Sequence, residues 1–536
     1  MNREETLALY ERAQKEGIEV WNDWANELLE ERKRLEEAGE WSVEKNFLKE
    51  NKPKNKVTKN WFNKAKADFS SEENPTVFKS YVYFSDFIFP GNINFDAAKF
   101  NEHATFESAT INGYASFNIV NFKRQISFSN TTFYDQASFD SCTFEEDVSF
   151  ESATFNNKVW FDTSNFKGEA WFKNATFNNR ASFITTSFLS NTWFQNTSFQ
   201  HEAVFQHSIF HGFSSFTNVN FSNKAFFEHS KFKENVDWEG STFNDYCTFI
   251  NSYFEKSSNF ANIVFNKATS FKFTNFKNKT TFQLVNFNDE VDFSNSSFSS
   301  GANFSETFFN DQQNFRSIKA KDLIDFSSAV FSIPPDFSGT DSTIPISIDN
   351  VVIRIPSLIA YLLKKIDPSL ATRFRRYKSF AISDNDNFSE HNFFVGELVG
   401  TILQQYGKVH LITFFGCLYE LFSNFGRSIV RPLGTLLLLV ILMTGLHLTK
   451  SKTPLTYDKA FSAGYISTSK SIFNLGADPT KRSILKEKYS ALYGANENQT
   501  PNIPKTILIA EMGQTLLSAI LIFLALLGIR NNFKLK

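Results

Sequence analysis

From residue 84 onward, large apolar residues recur with a step that alternates five and six. Phe84, Phe89, Phe95, Phe100 and Phe106 open the series, and Phe293, Phe298, Phe304, Phe309 and Phe315 close it; the period of eleven never slips. Only Ile111 and Trp238 replace Phe at a rung, and both are large and apolar. A second rule rides on the first. The residue two before a rung is small or β-branched, as at Ala98, Ala104, Ala109, Ala115, Cys142, Ala153, Ala175, Ala181, Ser208, Ala225, Cys247 and Thr280, with Phe87 and Gln313 as departures near the two ends. Neither the 3.6-residue period of a helix nor the two-residue period of a strand produces this alternation. A tight coil with flat sides does. The rung points inward at the middle of a side, the small residue points inward near the corner, and the residue between them points out.

Stretches such as Ala153-Thr154-Phe155 and Ala181-Ser182-Phe183 carry a small residue, any residue, then Phe. In this the chain resembles the pentapeptide-repeat family in its phenylalanine-centred form. The resemblance implies a mainly β fold, a right-handed quadrilateral β-helix with four sides per coil. Here one extra residue enters at every second corner, in Lys167-Gly168-Glu169, Asn178-Asn179-Arg180 and Asn244-Asp245-Tyr246, which are rich in turn-forming types. Four sides then make a coil of about 22 residues, and parallel strands stacked at about 4.8 Å give a rod of roughly 50 Å. Its end edges need covers, for which flanking helices are suited.

The ladder divides the chain. Residues 1–76 are expected to be a helical segment over 3–42, with an apolar stripe at Trp21, Trp24, Ala25, Leu28 and Leu29, followed by a lysine-rich linker that includes Lys45, Lys49, Lys52, Lys54, Lys56 and Lys59. The linker reads as solvated; the sharper reading has it touching anionic lipid head groups. Residues 77–340 form the β-helix. Residues 341–427 turn helical in character, with Arg373, Arg375, Arg376 and Lys378 as a basic face beside Asp384 and Asp386. In this neck the runs RFRRYKSFAISDNDNFSEHNFFVGELVG and LYELFSNFGRSIVRP resemble segments that join rod to membrane in some pentapeptide-repeat proteins. Residues 428–536 hold two apolar runs, about 428–448 and 506–529, each long enough to cross ~30 Å of hydrocarbon. Arg427 and Arg431 before the first, with Arg530, Lys534 and Lys536 after the second, put both termini in the cytoplasm. The charged N-terminus lacks the apolar core of a signal peptide, which agrees. The expected location is an integral, multi-pass protein of a bacterial inner membrane.

Composition narrows the function. The chain has 66 Phe against 3 Cys and 3 Met, and a net charge of −2. The cysteines are odd in number and widely spaced, so they form neither a disulfide framework nor a metal-ligand set. No phosphate-binding glycine loop, GxSxG, HExxH or paired CxxC occurs. No enzyme activity and no cofactor are therefore expected. The rod carries 27 acidic against 18 basic residues between 81 and 340. That excess resembles the DNA-mimicking members of the family, yet the acids lie scattered among lysines, and no nucleic-acid partner is expected.

Four sets of residues remain as candidates. Trp171 and Trp193 are 22 apart and face outward on one side, and Trp160 and Phe226 face outward on another; exposed aromatics mark a contact surface, or a ladder that stiffens the stack. His207 and His229, also 22 apart, are two ligands at most. Glu511 and Gln514 share a face of the second apolar run, where a carboxylate is costly. The expected function is a membrane-anchored scaffold or protein-docking module, its partners the lipid bilayer and a protein on the rod face, with homo-oligomerisation left open. The alternative is a two-helix pore with the rod as regulator. Its pore segment would be Phe461–Asp478, which holds the isolated Gly464 and Gly476 and no TVGYG-like filter.

Overall fold

The computed structural model describes residues 1–44, 51–70, 76–341, 343–354, 357–361, 369–383, 386–406, 410–451, 454, 456–472 and 479–533. Lys45, Lys49, Asp384, Gly476, Lys534 and Lys536 lie outside the described residues. The chain divides into two compact units, Met1–Arg354 and Ile355–Lys536.

The first unit is a right-handed four-sided β-solenoid. Two-residue strands stack into four parallel sheets of 13, 12, 12 and 13 strands. One coil runs through Ile88–Phe89, Ile93–Asn94, Lys99–Phe100 and Ala104–Thr105, one strand per side. Each strand pairs with the residue 22 further on, as in Thr154↔Thr176 and Phe155↔Phe177. The five/six alternation thus closes into a square. The ladder also reaches beyond the region read from sequence: it starts at Ala67–Asp68 and ends at Val352–Ile353.

The interior is filled by the rungs. Rings one coil apart lie nearly parallel, as Phe139 over Phe161 at 5.0 Å and 7°. Rings on neighbouring sides meet edge to face, as Phe150 against Phe161 at 5.2 Å and 81°. Both geometries suit the ring quadrupole. The inward residue two before a rung is buried throughout, and where it is Ser or Thr its hydroxyl needs an acceptor. Ser164 donates to the carbonyl of Phe139, Thr186 to Phe161 and Thr197 to Phe172, each in the coil before. The two departures sit where the ends leave room. Phe87 packs against Trp21 and Tyr10, and the Gln313 amide donates to the carbonyl of Ile333.

The two kinds of corner differ. The five-residue step is a β-turn whose third residue is left-handed, at φ near +57° in Ser141, Ser152 and Thr163 and at every eleventh position on either side. Asn and Gly suit this conformation; Ile119, at φ 60°, does not. Its side chain is largely exposed, so little packing opposes its removal. Ile119→Asn is therefore expected to raise stability by about 0.5–1 kcal/mol, read from the denaturant midpoint. At the six-residue corner backbones nearly touch: a Cβ added at Gly168 would come within 2.2 Å of the Glu146 carbonyl carbon.

The rod's first edge is covered by helices α1 (Arg3–Glu16) and α2 (Glu19–Glu37). The single helix expected over 3–42 is broken at Gly17, whose φ of +112° ends α1. Trp21 lies fully buried against Phe69, Phe87 and Phe89, and its indole N–H donates to the Ile88 carbonyl at 2.9 Å. Asn22 accepts from the Ile88 N–H and donates to the Asp86 carbonyl, and Gln14 donates to the Tyr83 carbonyl. Open edge groups thus find side-chain partners. The lysine-rich linker is partly structured: α3 (Lys56–Ala65), capped by Asn55, buries Trp61 and Ala65 against Leu28.

The second unit is helical: α4 (Leu358–Tyr361), α5 (Leu370–Ser383), α6 (Asn387–Tyr406), α7 (Leu411–Ser423), α8 (Val430–Thr449), α9 (Tyr457–Ile472), α10 (Pro479–Tyr493) and α11 (Lys505–Phe533). Helices α8 and α11 are long and apolar enough to cross a membrane. Helices α5 and α6 pair, tied by Glu397 of α6 to Arg375 at 2.8 Å and Lys378 at 2.6 Å.

Candidate functional site

On the rod, Trp160, Trp171, Trp193 and Phe226 are all half-buried and point outward, since each is the residue between a small corner residue and a rung. Trp171 and Trp193 are strand partners on one side. The ring contact of Trp193 is with Phe213 at 5.5 Å, and its indole N–H donates to Glu169 at 3.1 Å. On the other side, Trp160 pairs with Ser138 and Ser182, while Phe226 pairs with Val204 and Thr248. Three coils, about 14 Å, separate these two, so they do not form one patch.

His207 and His229 stack at 4.7 Å and 3° on left-handed turns one coil apart. Among the described residues no group of three His, Cys, Asp or Glu is placed to hold a metal. Cys142 and Cys247 are buried at corners, and burial pushes both thiols well up. They are expected to stay unlabelled by a thiol reagent until the rod unfolds.

Among the described residues one rod carboxyl is pushed above its usual range. Burial, and then the charge of Asp162 one coil on, push Asp140 up to about 6 from an ordinary 3.8. The folded state therefore holds this proton more tightly than the unfolded chain. Its contribution is fully present below pH 3.8 and is lost as pH rises through 6. Stability is expected to fall over that window, and Asp140→Asn to remove the fall, by on the order of 1–2 kcal/mol given partial exposure. Denaturant midpoints measured against pH check this.

The second unit gathers polar side chains inside. Glu511 and Gln514 are both buried. The Tyr489 hydroxyl donates to Glu511 Oε1 at 2.6 Å, His447 Nε2 lies 3.5 Å from the same oxygen, and Lys470 Nζ lies 3.7 Å from Oε2. Gln514 Nε2 donates to the Ser467 carbonyl at 2.7 Å and to the Ser471 hydroxyl. Burial, and then the Glu511 charge, push the Tyr489 and Tyr493 phenols well up, so both stay protonated. Sequence reading found Glu511 and Gln514 but missed His447, Lys470, Tyr489 and Tyr493. These come from three other helices, and no spacing links them. The segment proposed for a pore begins as α9, and residues 473–478 lie outside those described.

A family model described as pentapeptide repeats (9 copies) matches residues 128–175 and 161–209. No curated protein and no solved structure matches the chain. The matched repeats fall in the centre of the rod, where the small-X-Phe rule, the 22-residue register and the four parallel sheets coincide; the rod is built of pentapeptide repeats.

Proposed function

We propose that the protein is a non-catalytic scaffold, held at a membrane by its C-terminal helices, whose rod presents spaced side chains to a protein partner. The observation that carries the membrane half is an inversion in the second unit. Its outward positions are apolar: Leu437, Leu438, Ile441 and Leu442 on α8, and Ile509 (71 % exposed), Met512 (75 %), Leu516 and Phe523 on α11. Its inward positions include His447, Glu511, Gln514 and Ser518. Helix α7 is inverted too, with Leu411, Phe414, Phe415 and Leu421 outside and Thr413, Glu420 and Ser423 buried. Water-soluble helices show the reverse, and hydrocarbon suits this arrangement. Two spans with both termini cytoplasmic complete the reading.

The scaffold half is supported by the filled interior, which leaves only the four outer faces to present residues, the Trp171–Trp193 side among them. Two measurements test the proposal. Leu437→Arg/Ile441→Arg places two charges on the outward face of α8, each costing about 2.5–3.5 kcal/mol at mid-membrane. The double variant is expected to leave the alkali-resistant membrane fraction; native protein that is extracted equally well sinks the anchoring reading. Cross-linking in membranes is expected to capture a stoichiometric protein that Trp171→Ala/Trp193→Ala loses, and capture unchanged by that variant would move the docking face elsewhere.

A further inference from the structure

The buried polar groups of the second unit converge on one carboxylate from every helix packed around it. Glu511 of α11, 3 % exposed, faces His447 of α8, Lys470 of α9, and Tyr489 and Tyr493 of α10. Among the described residues these are the titratable groups that meet it. Tyr489 donates to the carboxylate and Lys470 pairs with it as an ion at 3.7 Å; His447 is the group whose role is open.

The bonding around His447 determines what the pair can hold. Its Nδ1 shares a hydrogen bond of 2.7 Å with the Tyr493 hydroxyl. When the phenol donates, the ring hydrogen sits on Nε2 and points at Glu511 Oε1. When Nδ1 donates, Nε2 turns a lone pair toward the same oxygen, and two acceptors face one another. The second arrangement leaves a place for a further proton on the line between Nε2 and Oε1; in the first the ring hydrogen fills that line, and a further proton goes to Oε2, which faces Lys470. At 3.5 Å that line is longer than a settled N–H···O bond of about 2.9 Å. Nε2 is fully buried and has no hydrogen-bond partner among the described residues. The carboxylate's second oxygen meets Lys470, whose side chain is 36 % exposed and so joins the buried pair to the surface.

We propose that Glu511 and His447 form a proton-binding site that exchanges with the surface through Lys470. The resting state is a carboxylate, a neutral imidazole and an ammonium. On uptake, the Lys470 ammonium passes a proton to Glu511, and the resulting amine recovers one from solvent, so one proton is gained in all. The protonated pair no longer attracts Lys470, so α9 loses its ion pair to α11 and is left with the Gln514 bonds to Ser467 and Ser471. Chemical logic favours a proton here over a metal ion, because the carboxylate already meets two cationic or N–H groups and a phenol. The proposal rests on contacts within this unit and does not depend on the scaffold reading.

The test uses the full-length chain in phosphatidylcholine nanodiscs, labelled with ¹³C-glutamate and ¹⁵N-histidine and titrated from acid to alkaline pH. The expected result is a carboxylic-acid infrared band and an imidazole ¹⁵N shift that change together at one midpoint. Glu511→Gln is expected to abolish the band and move the His447 midpoint at least tenfold in proton concentration. Tyr489→Phe deletes only the hydroxyl that donates to Glu511; it is expected to raise the midpoint and keep the native circular dichroism, so the proposal stays testable should Glu511→Gln misfold. A Glu511 that stays ionised while His447 stays neutral across the whole titration overturns it. So does a His447 transition unmoved in both variants.

Discussion

Phe183→Ala is expected to cost about 3–5 kcal/mol and to split the unfolding of the rod into two transitions. Phe183 is fully buried, stacked on Phe161 at 4.9 Å and Phe205 at 4.7 Å, with Phe172 and Phe194 meeting it edge to face. The cavity left behind cannot collapse, because the surrounding backbone is held by ladder bonds to the coils on either side: Phe183 N–H donates to the Val204 carbonyl of the next coil, and the Ile184 carbonyl accepts from Thr163 of the coil before. The splitting follows from the architecture. Each coil touches only its neighbours, so one weak coil uncouples the two halves. Denaturant unfolding of the full chain, followed by far-ultraviolet circular dichroism, reads both effects. A loss below about 1 kcal/mol would mean that the interior relaxes around the missing ring, contrary to the packing described.

Trp21→Ala is the second large effect. It removes a fully buried indole from the cover of the rod and leaves the Ile88 carbonyl without its N–H donor. Truncating such a side chain costs about 3–5 kcal/mol. The consequence reaches beyond stability. Once α2 lifts, the first coil presents parallel strand edges, and rods are expected to associate end to end. Thermal unfolding and sedimentation measured together distinguish the outcomes. A destabilised monomer would show that α1 and the Asn22 bonds suffice to keep the edge closed.

Much of the rod was legible because its signal is one-dimensional. A rung every five or six residues survives in any reading of the chain, and Ile111 and Trp238 keep the step. The ends were harder. Residues Ile346, Ile348 and Ile353 continue the buried interior without phenylalanine. The first coil is longer than the rest: Ala67 pairs with Ile93, 26 residues on, so Phe69 reaches Phe95 out of step. Helix α3 was hidden by its lysines, which drew attention away from Trp61 and Ala65 on one face. In the second unit, Glu511 stood out as a charge in an apolar run. Its partners did not, since His447, Lys470 and Tyr489 are unremarkable until four helices bring them together.

The uniform register has a consequence for how such a chain can vary. Removing 22 residues shortens the rod by one strand spacing, about 4.8 Å, and leaves every later residue on its original side. Removing 11 residues keeps each rung and corner rule satisfied, yet it carries everything beyond the cut half a turn around the axis. Trp193 would then stand on the side opposite Trp171. The rod behaves as a ruler graduated in two units, one that sets distance and one that sets bearing, and a genetic change of eleven codons can re-aim a surface without disturbing its core.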